Sequence, residues 1–223
     1  MAMEITYLGH SGLLLSDGRE VVAIDPFLTG NPGAVHKASE IRCGHIVLTH
    51  GHADHVGDVV SIAKANGAAV YAGFELSVWC AEQGVKRVEG GNPGGRIGTG
   101  FGFVAFTQAF HSSSYEGRSM GVACGVVVGI GGRVLYHTGD TCLFGDMRLI
   151  GEMYRPDVAA ICAGDRFTMG PESAGRAAEM IGARLAIPIH WGTWPMLASD
   201  MSGFKPKGVE VRVMKAGESW KVE

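Results

Sequence analysis

The sequence is short of charge, of proline and of paired cysteine, and each shortage closes off a class of explanation. Only 18% of its 223 residues are Asp, Glu, Lys or Arg, and 19 basic side chains stand against 22 acidic ones, a formal net charge of -3. No basic field is available to attract a phosphate backbone, so nucleic-acid binding is not expected. The five cysteines, Cys43, Cys80, Cys124, Cys142 and Cys162, are odd in number and hold no C-x-x-C pair. That argues against a disulfide framework and against a cysteine zinc site, and reads most of them as small buried apolar residues. The 8 prolines form no proline-rich linker. The longest apolar stretch, the glycine-diluted run 121–132, is far short of the roughly 20 residues that cross a membrane. Residues 1–7 lack the basic-then-apolar order of a signal peptide, so a cytoplasmic protein with no membrane association is expected.

What the chain has instead is glycine. Its 35 glycines are roughly twice ordinary usage. No Gly-X-Y period runs through them, and a hydrophobic fraction of 46% is ample for a core. A chain of this length buries about 70% of its unfolded surface without staples, so one domain over residues 1–223 is expected.

Apolar runs at 5–8, 13–15 and 21–24, separated by glycines and by Ser16-Asp17-Gly18, read as a strand meander. Val56, Val59, Val60 and Ala63 have helical spacing, stopped by Asn66-Gly67, with a strand over 68–72 and a helix over 75–83 after it. Helices are also expected over 145–154 and from Pro171 to a stop at Gly182, and Val209, Val211 and Val213 alternate as a strand near the end. Strands and helices interleave in both halves, which suggests an α/β protein whose sheets carry helices on their outer faces.

The segment Thr49-His50-Gly51-His52-Ala53-Asp54-His55 follows the apolar run 46–48 and sets three imidazoles and a carboxylate within six residues. Imidazole nitrogens and carboxylate oxygens suit Zn2+, and also manganese, iron or nickel. A solvated histidine-rich loop is the plain alternative. Against it, three more apolar runs end in the same way: 104–110 at His111, 134–136 through His137-Thr138-Gly139 at Asp140, and 185–189 at His190.

The order H-x-H-x-D-H, a lone His, an Asp in a Gly-Asp-Thr turn and a final His resembles the metallo-β-lactamase superfamily over essentially the whole chain. Within it the chain is most similar to UPF0173-type metal-dependent hydrolases and their ascorbate-6-phosphate lactonase-like relatives. The stretches that carry this are Leu8-Gly9-His10-Ser11-Gly12, Asp25-Pro26-Phe27, Phe110-His111-Ser112, Gly139-Asp140-Thr141, Phe167-Thr168-Met169-Gly170-Pro171 and Ile187-Pro188-Ile189-His190. The resemblance implies an αββα sandwich, two mixed sheets flanked by helices. It implies that His50, His52 and His111 bind one divalent metal, that Asp54, His55 and His190 bind a second, and that Asp140 bridges them. Di-iron relatives carry a carboxylate at the place of His52, so Zn2+ is favoured here over Mn2+, Fe2+ or Ni2+.

Two cations sharing a hydroxide would supply a nucleophile near neutral pH, with Asp54 as the residue that orients it and takes its proton. The expected activity is hydrolysis of a small polar ester, lactone or phosphorylated metabolite. The alternatives are a phosphodiesterase on the same site and a catalytically silent metal-binding protein. Around the ligand set, His10 either points at the site or caps its own turn, and Asp25 either holds a ligand imidazole or starts an Asp-Pro turn. Ser112 either meets substrate or belongs to a polar loop, and Trp191 and Trp194 either wall a pocket or pack in the core. His137 reads as packed or as a support of Asp140, and His36 and His45 as structural. The partner expected is a small-molecule substrate, with a homo-oligomer left open.

Overall fold

Strands that are apolar on both faces must be covered twice, and that requirement decides the architecture. In the computed structural model, which describes residues 2–222, the meander is β1 (Met3–Gly9), β2 (Gly12–Ser16) and β3 (Val21–Ile24), paired antiparallel. Successive side chains point to opposite faces. Thus Met3, Ile5, Leu13, Leu15, Val22 and Ile24 enter one buried cluster, whereas Ala23 and its neighbour Leu14 pack in another. The sheet continues through parallel strands β4 (His45–Val47), β5 (Ala69–Gly73) and β6 (Arg87–Gly91).

A second sheet takes β7 (Arg96–Thr99) and β8 (Gly102–Gln108). Beyond a short hairpin of β9 (Ser114–Tyr115) and β10 (Arg118–Ser119), it adds β11 (Cys124–Ile130), β12 (Arg133–His137), β13 (Val158–Cys162), β14 (Leu185–Ile189) and β15 (Glu210–Val211). The spatial order is β15-β14-β13-β12-β11-β8-β7. Strand β16 (Ser219–Val222) returns to the first sheet and pairs antiparallel with β1, Met3 opposite Val222.

The inner faces of both sheets share one core, in which Leu15 and Val47 meet Val126, Val128 and Ile187. Each fully buried side chain of this kind contributes about 1.5–3 kcal/mol. The outer face of the first sheet is covered by α2 (Val59–Asn66) and α3 (Phe74–Glu82), that of the second by α4 (Met147–Tyr154) and α5 (Pro171–Ile181). The result is the expected αββα sandwich. Helix α5 forms where Pro171 and Glu172 follow Gly170, buries Ala174, Ala177, Ala178 and Ile181, and ends at the left-handed Gly182. Among the described residues no helix is long and apolar enough to cross a membrane.

Two expectations need correction. Val209, Val211 and Val213 do not form one strand: only Glu210–Val211 pairs with β14, and the strand that closes the first sheet lies further on, in β16. The helical spacing that starts at Val56 is also interrupted. A short α1 (Ala53–Val56) stops at Gly57, and α2 begins at Val59. Gly57 has a left-handed φ of 45°, and a Cβ there would lie 2.6 Å from the Phe27 Cα and 2.7 Å from the Pro26 carbonyl oxygen. The break lets the Asp58 carboxylate accept bonds from the Leu28 and Thr29 amides at 2.9 and 2.8 Å, which ties the segment after β3 to the segment after β4.

Gly57→Ala is therefore expected to lower stability by roughly 1–3 kcal/mol, from overpacking and a disfavoured φ together. Urea denaturation followed by circular dichroism checks this; an unchanged midpoint would show that the segment yields without cost.

Candidate metal centre

The candidate ligands and the residues that contact them converge on one end of the sandwich, because the strands that deliver them end there, whereas His45 begins β4 and packs against Tyr71 instead. Asp25 follows β3, Thr49 and His50 follow β4, and His52, Asp54 and His55 lie at the start of α1 and within it. His111 follows β8, Asp140 follows β12 and His190 follows β14, while His10 sits in the turn between β1 and β2. Gly139 makes the approach of Asp140 possible. Its φ is 59°, and a Cβ there would stand 3.1 Å from that of Thr49.

Donor atoms gather in three groups, within each of which they lie no more than 4.8 Å apart: His50, His52 and His111; His10, Asp54, His55 and His190; and His50, His55 and Asp140. The first is one expected triad, and the second is the other with His10 added. Asp140 stands between them. One carboxylate oxygen is 3.4 Å from His55 Nε2, and the other is 3.0 Å from His190 Nε2 and 3.6 Å from His111 Nε2. His50 Nε2 and His52 Nδ1 are 3.0 Å apart.

Supporting contacts fix these rings. Asp25, fully buried, has one oxygen 2.7 Å from His55 Nδ1 and accepts from the Thr49 hydroxyl at 2.6 Å and the Thr49 amide at 2.9 Å. His10 Nε2 is 3.1 Å from the Asp54 carboxylate, and its Nδ1 is 2.8 Å from the Thr193 hydroxyl. Ser112 places its hydroxyl 3.2 Å from His52 Nε2. His137 is a buried tie, with Nε2 2.9 Å from the Ser11 carbonyl and the Gly139 amide donating to its Nδ1. Cys142 is exposed.

A cleft of about 330 Å³ opens onto the donors. Its wall is Phe167, Trp194, Met196 and Leu197. Trp191 is not among the lining residues; its indole N–H donates to the Pro188 carbonyl at 3.1 Å. Sequence reading had no hold on Met196 and Leu197, because an irregular segment carries no periodicity to assign them a face.

Burial disfavours the charged form of each of these groups, yet the ionised carboxylates persist. Burial would raise Asp54 and Asp140, but hydrogen bonds from His10 and His190 hold Asp54 well below the usual carboxylate range, and His55 and His190 do the same for Asp140. Burial would lower His190, but Asp140 outweighs it and lifts the ring to about 9; His55 is raised likewise, against Asp140 and Asp25. His50 is held well below its ordinary value by burial and by the neighbouring His55.

This donor set fits divalent cations. Asp140 Oδ1 and His55 Nε2 are buried without a hydrogen-bond partner, an arrangement that a shared cation resolves by replacing protons.

The fold and the donors together define a metal-dependent hydrolase of the metallo-β-lactamase type, and the comparisons agree. The Beta-lactamase superfamily domain matches residues 21–191. A UPF0173 metal-dependent hydrolase of Geobacillus thermodenitrificans is 46% identical over 97% of this chain and 99% of its own length. Igni18, a novel metallo hydrolase from the hyperthermophilic archaeon Ignicoccus hospitalis, superposes with a TM-score of 0.90 at 33% identity, covering 100% of this chain and 99% of that one. The metallo-beta-lactamase fold protein YhfI of Bacillus subtilis, 17% identical with a TM-score of 0.74 and 100% of each chain covered, shares the fold. The chain belongs to the UPF0173 metal-dependent hydrolase family of the beta-lactamase superfamily.

Asp25→Asn removes the carboxylate that holds His55 in place, so metal affinity is expected to fall about 10–100-fold. Competition against a chromophoric chelator measures this. Unchanged affinity would mean that Thr49 and packing alone fix the ring.

Proposed function

We propose that the protein hydrolyses a small ester-type substrate, an ester, lactone or phosphorylated metabolite, with two divalent cations held at the end of the sandwich. His50, His52 and His111 would hold one, Asp54, His55 and His190 the other, and Asp140 both. The observation that carries the reading is the placement of Asp140, whose two oxygens face the imidazoles of both groups. An imidazole-rich donor set favours Zn2+, with Mn2+, Fe2+ and Ni2+ as the other candidates.

When bound, such cations lower the pKa of water toward neutrality and polarise a carbonyl or phosphoryl oxygen. The chain's own residues supply the rest. Asp54 lines the cleft among the donors, where its carboxylate would orient the attacking water and accept its proton, with His10 Nε2 3.1 Å from one of its oxygens. His10 is pushed down to about 4, by burial first, so near neutral pH it is uncharged and has a single N–H to give. With the Thr193 hydroxyl donating to Nδ1, that N–H points at Asp54.

The test is metal analysis of the purified protein, followed by assay of chromogenic carboxyl esters, lactones and bis(p-nitrophenyl) phosphate with and without chelator. Turnover that chelator abolishes and added metal restores is expected. Asp54→Asn should lose about 100-fold or more in kcat with an unchanged circular dichroism spectrum. Near-normal turnover in the variant overturns the role of Asp54. Stoichiometric metal with no turnover across the panel favours a silent metal-binding protein, and turnover of the phosphodiester alone favours a phosphodiesterase.

A further inference from the structure

The cleft has two unlike halves. Its donors are imidazoles and carboxylates, whereas its wall of Phe167, Trp194, Met196 and Leu197 is apolar, and no Lys or Arg lines it. The adjoining open hollow of about 680 Å³, which shares His111 and Ser112, is lined by Phe110, Val122 and several serines, again without a Lys or Arg. Phe110, Phe167 and Met196 are 59%, 51% and 52% exposed, large apolar groups left to water beside polar chemistry. Arg166 is the one cation in the loop 164–170. Its guanidinium lies 5.4 Å from the Phe167 ring centroid, and it is not a lining residue.

These features discriminate between substrates. A phosphate remote from the scissile bond carries about -1.5 to -2 charge at pH 7 and needs a cationic partner before it gives up its hydration. The wall supplies none. An alkyl or acyl arm gains by leaving water for such a surface, about fourfold in affinity for each fully buried methylene. A cleft of this volume stands at the small end of ligand pockets, sized for a short arm.

Resting on the hydrolytic reading above, we infer that the substrate is a neutral carboxylic ester or lactone whose apolar arm lies on Phe167, Trp194, Met196 and Leu197. It carries no phosphate away from the scissile bond. In the reaction one water adds to the carbonyl carbon and the acyl carbon–oxygen bond breaks. The bonding electron pair leaves with the alcohol oxygen, which takes up a proton, and the products are a carboxylic acid and an alcohol, joined as one hydroxy acid when the substrate is a lactone.

The test uses the metal-loaded protein with γ-lactones of increasing side-chain length, γ-butyrolactone, γ-hexalactone and γ-octalactone, alongside 6-phosphogluconolactone. In parallel, binding of the neutral lactones to chelator-treated protein is followed by tryptophan fluorescence and compared with Trp194→Phe. We expect kcat/KM to rise up to about fourfold per methylene until the cleft is full, with the phosphorylated lactone at least tenfold below γ-hexalactone. Phe167→Ala and Trp194→Ala should flatten the dependence on length. A flat or falling series, or a preference for the phosphorylated lactone that Arg166→Ala abolishes, overturns the inference. Binding that strengthens with length while no lactone or ester is turned over supports the apolar subsite and overturns the hydrolytic reading, so the two failures are told apart.

Discussion

A fully buried carboxylate between imidazoles is the constraint around which this end of the molecule is arranged. Asp140 is only 2% exposed, and an isolated charge at such a place is costly. Without cations, the charge is met by protons on His55 and His190, and their elevated pKa values express that compensation. Divalent cations held there would meet the same negative charge with more positive charge, in competition with those protons for the same nitrogens. The polypeptide thus carries the negative part of the site permanently and leaves the positive part to be exchanged.

Holding side chains from both sheets against one carboxylate asks unusual things of the backbone. His10, Asp25 and His190 have φ values of 55°, 43° and 60°, a region that residues with a Cβ seldom occupy. Each such residue costs on the order of 1–3 kcal/mol and persists only where its surroundings over-determine it. They do so here. The His10 carbonyl accepts from the Tyr7 hydroxyl at 2.8 Å and from the His190 amide at 2.7 Å, so two of the three strained residues lock each other across the gap between the sheets. Asp25 is locked through its side chain, by Thr49 and His55.

How much of this could be read from the sequence follows the same physics. The candidate ligands were legible because His50, His111 and His190 each come at the end of an apolar run, with His52, Asp54 and His55 crowded directly behind the first; strand ends are where side chains stop being committed to a core. The meander and α5 were legible from period and punctuation. Strands β6 and β7 were not, because at the sheet edges Arg87, Glu89, Arg96 and several glycines dilute the apolar alternation. The break at Gly57 left no trace in the spacing of Val56, Val59 and Val60, since its cause is a contact with Phe27, thirty residues earlier. Trp191 and Trp194 could not be told apart either. After His190 the chain turns through two left-handed residues, His190 and Gly192, so strand parity cannot be carried forward, and the ring that reaches the cleft is the later one.

The apolar wall and the charged floor are not independent parts. Trp194 packs edge-on against His10, ring centroids 4.9 Å apart, and its ring lies 6.1 Å from that of Phe27, two residues beyond Asp25. His10 in turn touches Asp54 and lies against the His190 ring at 4.1 Å. The surface proposed to meet a substrate's arm is therefore packed on the back of the residue that contacts Asp54. Residues in one contact network do not contribute additively, so a change that reshapes the wall at Trp194 also loosens the group assigned to the proton. An apolar wall further lowers the local dielectric and strengthens each interaction among the charged groups beside it. On the proposed reading, specificity and reactivity are thus coupled through His10, whereas Phe167 and Met196, about half exposed at the cleft, offer the freer positions at which such a cleft can change its preference without losing its chemistry.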